Sequence, residues 1–384
     1  MHTLRASGKA CGRSGGHGMA KLVRALGLMS GTSLDGIDVA MIDTDGEAVV
    51  HRGPAMTFPY TPDMRRQLTD ALADARLITT RDQRPGLLTV TERELTELHA
   101  AAVSAFCRKQ GIPRKSVGVV GFHGQTVLHR PEQKLTVQLG LGPLLSELIA
   151  LPVVYDLRAA DVEAGGQGAP LVPVYHRALS GRLDQRPLAV LNIGGVANVT
   201  WIGPGGALIA FDTGPGNALL DDWMMRHTKV PCDMDGAIAA TGRVHEDVVR
   251  FYLSHSFFST PPPKSLDRQA FFWDLVEGLS VEDGAATLTA LTVEAIARSR
   301  EFMPEQPALW VVCGGGRKNR TLMSSLAGRV ENAVVPAEAV GFDGDSIEAE
   351  AWAYLAVRSL VGLSISYPAT TGAPSPMTGG KMAG

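Results

Sequence analysis

The chain has 384 residues, 45% hydrophobic and 20% charged, which excludes a disordered, fibrous or coiled-coil protein and favours two lobes or one large α/β unit. Thirty-six Lys and Arg against 39 Asp and Glu give a net charge of -3 with no long run of one sign, so no footprint for nucleic acid or an anionic membrane is visible. Glycine is the deviation, at 43 residues, and its clusters suggest tight turns or backbone approaching a small-molecule ligand.

Residues 1–21 carry Arg5, Lys9 and Arg13 without an apolar stretch and read as a disordered leader, with Met19 a candidate start. Nowhere do 18 apolar residues run together, so no membrane span is expected. Cys11, Cys107, Cys232 and Cys313 are far apart and lack C-x-x-C spacing, as reduced thiols in a cytoplasm would be. Residues 22–28 predict a buried strand, 30–33 a turn and 37–43 a second strand, together a β-hairpin with a polar tip. Helical spacing follows over 63–76 and 91–110, then strands over 117–122 and 153–157. The hairpin grammar returns with strands at 188–193, 197–202 and 207–211. Helical stretches at 244–254, 269–280 and 285–302 lead to a strand at 309–313, a glycine turn, a helix from Asn319 and a last helix over 346–361. A pattern recurring after about 165 residues predicts a two-lobed α/β protein with a ligand cleft. Lobe I is expected to cover 22–185 and lobe II 186–345, with 346–384 returning to lobe I.

Four glycine-rich turns follow predicted strands: Ser30 to Gly36 (SGTSLDG), Asn192 to Gly195 (NIGG), Asp212 to Asn217 (DTGPGN) and Gly314-Gly315-Gly316. Singly each suits an ordinary turn; four together suggest backbone amides gathered around phosphate. The P-loop and protein-kinase signatures are absent, as are H-E-x-x-H and G-x-S-x-G. Asp156 and Asp161 flank Arg158 just before Gly165-Gly166-Gln167-Gly168. A carboxylate at a strand end beside a glycine loop suits a general base. Asp161 is favoured for that role, whereas Asp156 suits a cap paired with Arg158. His123 and Gln125, in HGQT after an apolar strand, suit contacts to a hydroxylated ligand.

The run Gly27 to Asp38 (GLMSGTSLDGID) resembles the signature of the anhydro-N-acetylmuramic acid kinase family, within the actin, hexokinase and heat-shock-ATPase superfamily. The resemblance continues through HGQT at 123–126, DVEAGGQGAPLVP at 161–173, LNIGGVAN at 191–198, FDTGPGN at 211–217, PPKS at 262–265, CGGGRKN at 313–319 and EAEAWAYLA at 348–356. It implies a two-lobed actin-like ATPase fold, α/β and duplicated from a ribonuclease H-like unit. It also implies ATP and Mg²⁺ as cofactors and an anhydro sugar as substrate, in murein recycling in the cytoplasm; a homodimer is left open. By this resemblance Asp161 is the base that activates water. Gly31, Thr32, Ser33, Leu34, Asp35, Gly36, Ile37 and Asp38 line the β- and γ-phosphates, with Asp35 or Asp38 near the metal. Gly194, Gly195, Asp212, Thr213 and Gly214 form a second phosphate clasp, and Gly314, Gly315 and Gly316 lie against adenosine. His123, Gln125, Asp156, Gln167 and Glu348 are expected at the sugar. The chain departs from the family pattern at Leu128, at Leu141 and at Leu266-Asp267. Two alternatives stand beside it: levoglucosan kinase, which opens the same bridge in a simpler sugar, and a chaperone-like ATPase, for which no peptide-binding module is expected after residue 345.

Overall fold

The computed structural model describes residues 21–384 except 32, 267–270 and 273; all of the expected leader but Lys21 lies outside the described residues. Strands β1 (Val23–Ser30), β2 (Gly36–Thr44) and β3 (Val50–Pro59) form an antiparallel meander. Helices α1 (Pro62–Ala75) and α2 (Leu88–Lys109) lead to β4 (Val119–Arg130), parallel to β1 and paired at its far end with β5 (Leu135–Leu139). After α3 (Gly142–Ile149) the short β6 (Val153–Tyr155) lies parallel to β4. Helices α4 (Ala159–Glu163) and α5 (Pro173–Leu179) cross to the second half.

There β7 (Leu188–Ile193), β8 (Val196–Ile202) and β9 (Leu208–Pro215) repeat the meander, followed by α6 (Ala218–Thr228), α7 (Glu246–Leu253) and α8 (Val281–Arg298). Strands β10 (Leu309–Cys313) and β11 (Ala333–Pro336), joined by α9 (Arg320–Val330), extend the sheet in parallel from β7. The strand orders β3-β2-β1-β4-β6 and β9-β8-β7-β10-β11 are the same path traced twice. This is the duplicated ribonuclease H-like, actin-like arrangement. The chain then returns to the first half as α10 (Ile347–Leu360), the short turn α11 (Pro368–Thr371) and β12 (Lys381–Ala383), which pairs antiparallel with β6. Among the described residues no helix is long and apolar enough to cross a membrane.

Alternation along β1 explains the layering. Leu26 and Leu28 face a core under α1, α2 and α3, while Ala25 faces a cluster with Val190, Val311 and Trp352 that the two sheets share. Helix α10 lies in that shared layer. It approaches β1 and β4 through Gly27 and Gly121, where an added Cβ would fall 1.8 Å from the Ala349 carbonyl and 2.0 Å from that of Trp352. Only side-chain-free positions admit a helix this close.

Several expectations need correcting. The stretch 269–280 is not a helix where it is described: it holds one 3₁₀ turn, Asp274–Val276, then Gly278 at φ 93°. Ser280 instead caps α8, accepting from the Asp283 amide at 3.1 Å, so that helix begins at 281 and not at 285. Its apolar residues Phe271 and Val276 serve a loop that tucks under α6 and α8. The strand expected over 153–157 stops at Tyr155 because Asp156 turns at φ 56°. The hairpin of the first half has a third strand, β3, absent from the expected elements; it holds Pro54 and Pro59, and as the sheet edge it tolerates their missing amides. Leu128 is buried in the first core, and the Leu141 amide is taken by the Thr96 hydroxyl at 3.0 Å, so both departures have structural partners. Asp267 lies outside the described residues.

Candidate active site

The first wall of the cleft is the β1–β2 turn. The Leu34 amide closes it on the Gly31 carbonyl at 3.2 Å, and Leu34 stands at φ 55°. The Ser33 hydroxyl donates to the exposed Asp35 at 2.8 Å, and Thr57 on β3 donates to half-buried Asp38 at 2.5 Å. Burial, reinforced by Asp35, Asp345 and Asp343 and opposed by Thr57, raises the Asp38 pKa above the ordinary carboxylate range. Ser30 ends β1 beneath the turn, donating to Gln125 Oε1 at 2.6 Å and meeting the Tyr60 hydroxyl at 2.7 Å. Gln125, buried, therefore buttresses this turn, and Ile37 packs into the core. Thr32 lies outside the described residues.

The second wall gathers the other three glycine turns. The amides of Gly216 and Asn217 reach the carbonyls of Gly195 and Gly194 at 2.9 and 2.7 Å, and Asn217 Nδ2 donates to the Ile193 carbonyl at 3.1 Å. A Cβ on Gly216 would sit 2.3 Å from the Gly194 oxygen, and one on Gly314 the same distance from Asn192 Oδ1. The turns at 194–195, 214–217 and 314–316 thus stack on one strand end, where α6 presents its N-terminus and that helix's dipole. Thr213 is buried, its hydroxyl on the Ala197 carbonyl at 3.2 Å.

Between the walls lies a cluster of ionisable groups. Asn192 Nδ2 donates to Glu348 Oε1 at 2.9 Å, joining the second wall to α10. Glu348 reaches solvent, but protein walls surround it. That crowding raises its pKa, with Asp38 adding to the effect and Arg158 opposing it. Two positions on, Glu350 turns the other way into the core, held by Tyr175 at 2.6 Å and Arg52 at 2.8 Å. Arg158 Nε donates to His123 Nε2 at 3.1 Å and its Nη1 to the Gly168 carbonyl at 2.8 Å. Both Arg158 and His123 lie against the Trp352 ring, the guanidinium 5.0 Å from it and the imidazole stacked at 4.4 Å. Burial and the Arg158 charge hold the His123 pKa well below its usual value, so the ring is neutral and Nε2 accepts. Arg158 itself is lowered to about 10 by burial, opposed by Glu348, Asp161 and Asp212.

Asp161, 2% exposed in α4, accepts from the Gly168 amide on Oδ1 and from the Thr371 hydroxyl on Oδ2, each at 2.6 Å. Gln167 Oε1 takes the Ser265 hydroxyl at 2.9 Å, which ties this loop to the second half. Asp212 accepts the Leu266 amide at 2.7 Å. Burial lifts its pKa to about 7 against that hydrogen bond and against Lys264 and Arg158. Lys264 is pushed down to about 8 by burial, its ammonium on the Phe257 carbonyl at 2.9 Å and 4.5 Å from the Phe302 ring.

The structure therefore brings together His123, Asp161, Gln167, Asp212, Glu348 and the glycine turns. Asp156 is not among them: Arg81 and Lys381 hold its carboxylate, and it does not pair with Arg158. From sequence Arg158 reads only as a partner for Asp156, although it stands three residues before DVEAGGQG, and Asn192 only as part of a turn. For Thr371 no local signal existed. Among the described residues no group of three or more His, Cys, Asp or Glu could enclose a metal ion.

The sequence pattern of the family described as anhydro-N-acetylmuramic acid kinase matches residues 23–383. A protein of that name from Paramagnetospirillum magneticum is 53% identical over 360 residues, 93% of this chain and 98% of that protein. Another from Azorhizobium caulinodans is 55% identical over 366 residues, 94% and 99% of the two chains. Among solved structures, (R)-2-hydroxyglutaryl-CoA dehydratase component A from Acidaminococcus fermentans superposes with a TM-score of 0.47 at 11% identity, over 88% of this chain and 99% of that one. With sequence agreement running from β1 to β12 and across every turn that lines the cleft, the chain belongs to the anhydro-N-acetylmuramic acid kinase family.

Proposed function

We propose that the protein uses ATP to convert 1,6-anhydro-N-acetylmuramic acid and water into N-acetylmuramic acid 6-phosphate and ADP. The observation that carries this reading is Asp161, a buried carboxylate pinned by two donors at one side of a cleft whose other side gathers three glycine turns at a helix N-terminus. Oxygen 6 of the sugar is locked in the acetal bridge and has no proton to lose, so ring opening and phosphorylation must be coupled. Asp161 takes a proton from water as the water oxygen bonds to C1. The C1–O6 bond breaks, its electron pair stays on O6, and O6 bonds to the γ-phosphorus as the bond to the ADP oxygen breaks. The proton then leaves Asp161 for solvent.

The turns at 31–38, 194–195 and 214–217 suit the triphosphate, whose negative charge favours backbone amides and the α6 dipole. Asp35 and Asp38 are hard oxygen donors, and the negative charge of Asp35, Asp343 and Asp345, which adds to burial in raising the Asp38 pKa, fits a divalent cation. These two residues would hold Mg²⁺, which supplies neutralisation of the phosphate charge. Beyond Gly314–Gly316 a groove of about 480 Å³ between α8 and α9, with Thr289, Thr321 and Ser325 in its lining, offers a seat for the adenine; the buried Thr289 hydroxyl there has no partner in the protein. His123, Gln167 and Glu348 suit the sugar hydroxyls. Closure of the halves 22–185 and 186–345 excludes bulk water and aligns the reactants. ATP as substrate, with unpaired Cys107 and Cys313, suits the cytoplasm.

The test is ADP release with ATP plus anhydro-N-acetylmuramic acid, levoglucosan or no sugar. Release with the muramic sugar alone is expected. Equal or greater release with levoglucosan would refute the substrate, and release independent of sugar would refute the kinase reading.

A further inference from the structure

We infer that Thr371, 210 positions beyond Asp161, is a positioning residue for that carboxylate. The inference rests on the reading of Asp161 as the base. Thr371 is fully buried in α11, and its hydroxyl has two acceptors within range: Asp161 Oδ2 at 2.6 Å and the Tyr367 carbonyl at 3.4 Å. The charged and nearer acceptor wins. The Thr371 carbonyl in turn accepts the Gln167 amide at 2.6 Å, so this residue holds both the carboxylate and the loop that curls over it. Immediately after it, Gly372 turns at φ 75° and lies so close to Pro263 that a Cβ would fall 2.8 Å from Cγ of that ring. Gln167 is bonded to Ser265 on the same 262–265 segment. The α11 turn is thus wedged between the Asp161 loop of the first half and this segment of the second.

The hydroxyl occupies Oδ2 from one side while Gly168 occupies Oδ1, fixing the carboxylate plane so that the remaining lone pairs keep one direction for water. The other ionisable groups of the cluster are Arg158 in the segment leading into α4, His123 on β4, Glu348 on α10, Asp212 on β9 and Lys264 on the segment beside it. All are unaltered by a change at residue 371.

The experiment compares Thr371→Val, which keeps the shape and removes the hydroxyl, with Thr371→Ser, which keeps the hydroxyl, in the full chain with ATP and anhydro-N-acetylmuramic acid. The Val variant is expected to lose about tenfold in kcat with KM for the sugar within about twofold. Ser should restore kcat. If Val disturbs folding by thermal melting, Thr371→Ala removes the same hydroxyl with no added branch, and the comparison with Ser stands. A folded Val or Ala variant with the native kcat overturns the inference, as does a Ser variant as defective as Val. Asp161→Asn separates this from the base reading: if it is inactive while Thr371→Val is normal, only the role of Thr371 falls. If Asp161→Asn turns over normally, both fall.

Discussion

Replacing Gly27 by Ala places a methyl carbon 1.8 Å from the Ala349 carbonyl oxygen and 2.6 Å from the Ala353 amide nitrogen. Real Cβ contacts essentially never fall under 3.0 Å, so α10 must move off β1 by at least about 1.2 Å, since both contacts are backbone and neither can swing aside. The layer it would leave contains Ala351, Trp352, Leu355 and Ala356, all buried. Overpacking of this kind costs about 1–3 kcal/mol, and a backbone clash falls at the upper end. At ~1.3 °C per kcal/mol for a chain of this length, the melting temperature should fall by roughly 3–4 °C. The same displacement disturbs the 2.9 Å Asn192–Glu348 bond, so KM for the sugar should rise several-fold. Gly328→Ala is the counterpart: nothing lies within 4 Å of its Cβ and it sits inside α9, so stability should rise by about 0.5–1 kcal/mol. Differential scanning calorimetry and initial-rate kinetics on both variants check this. A Gly27→Ala protein that melts with the native one and keeps its KM would refute the reasoning.

Asp161→Asn should bind anhydro sugar by calorimetry while turnover falls by about 10²–10⁴-fold, with no phosphorylated sugar retaining the bridge, since O6 becomes nucleophilic only as the bridge opens. For Asp212 the sign is fixed by a folded pKa of about 7, above the ordinary 3.8 of an aspartate. Its contribution to stability is full below the lower value and is lost as pH rises through the upper one. Asp212→Asn should therefore gain in melting temperature relative to the native protein on going from pH 5.5 to pH 8; an equal difference at both would contradict the raised pKa. Ser325→Trp, at an exposed position lining the α8–α9 groove, should raise KM for ATP by about tenfold and leave that for the sugar unchanged, and the opposite pattern would remove adenine from that groove.

Most of what lines the cleft was legible because it is local. A glycine turn after an apolar strand declares itself within a few residues, and two such hairpins at matching places announce the duplication. Glu348 and Glu350 show the limit: both stand on one helix, and only packing tells that one meets Asn192 in the cleft and the other Tyr175 in the core. Asp156 was misjudged for a similar reason, since Arg81 arrives from a loop 75 positions earlier and outcompetes the neighbour Arg158, which is drawn to His123 and Gly168. β3 went unread, and its Pro54 and Pro59 are tolerated because it is an edge strand. The helix expected over 269–280 had suitable spacing, but spacing alone cannot distinguish a helix face from a loop that drops its apolar residues into a core.

The return of α10, α11 and β12 to the first sheet carries a consequence for how the protein is made. A ribosome releases the chain from one end, and when residue 185 emerges the first half still lacks the helix that covers one face of β1 and β4 and the hydroxyl that holds Asp161. The whole second half has to be translated before Thr371 leaves the exit tunnel, and Lys381 follows it. During that interval the face bearing Ala25 and Val119 stays open to water, and the strand edge at Val153–Tyr155 stays unpaired. A message truncated anywhere before codon 371 therefore yields polypeptide that can collapse but leaves Oδ2 of Asp161 without its hydroxyl donor, so the candidate site is complete only at the end of synthesis.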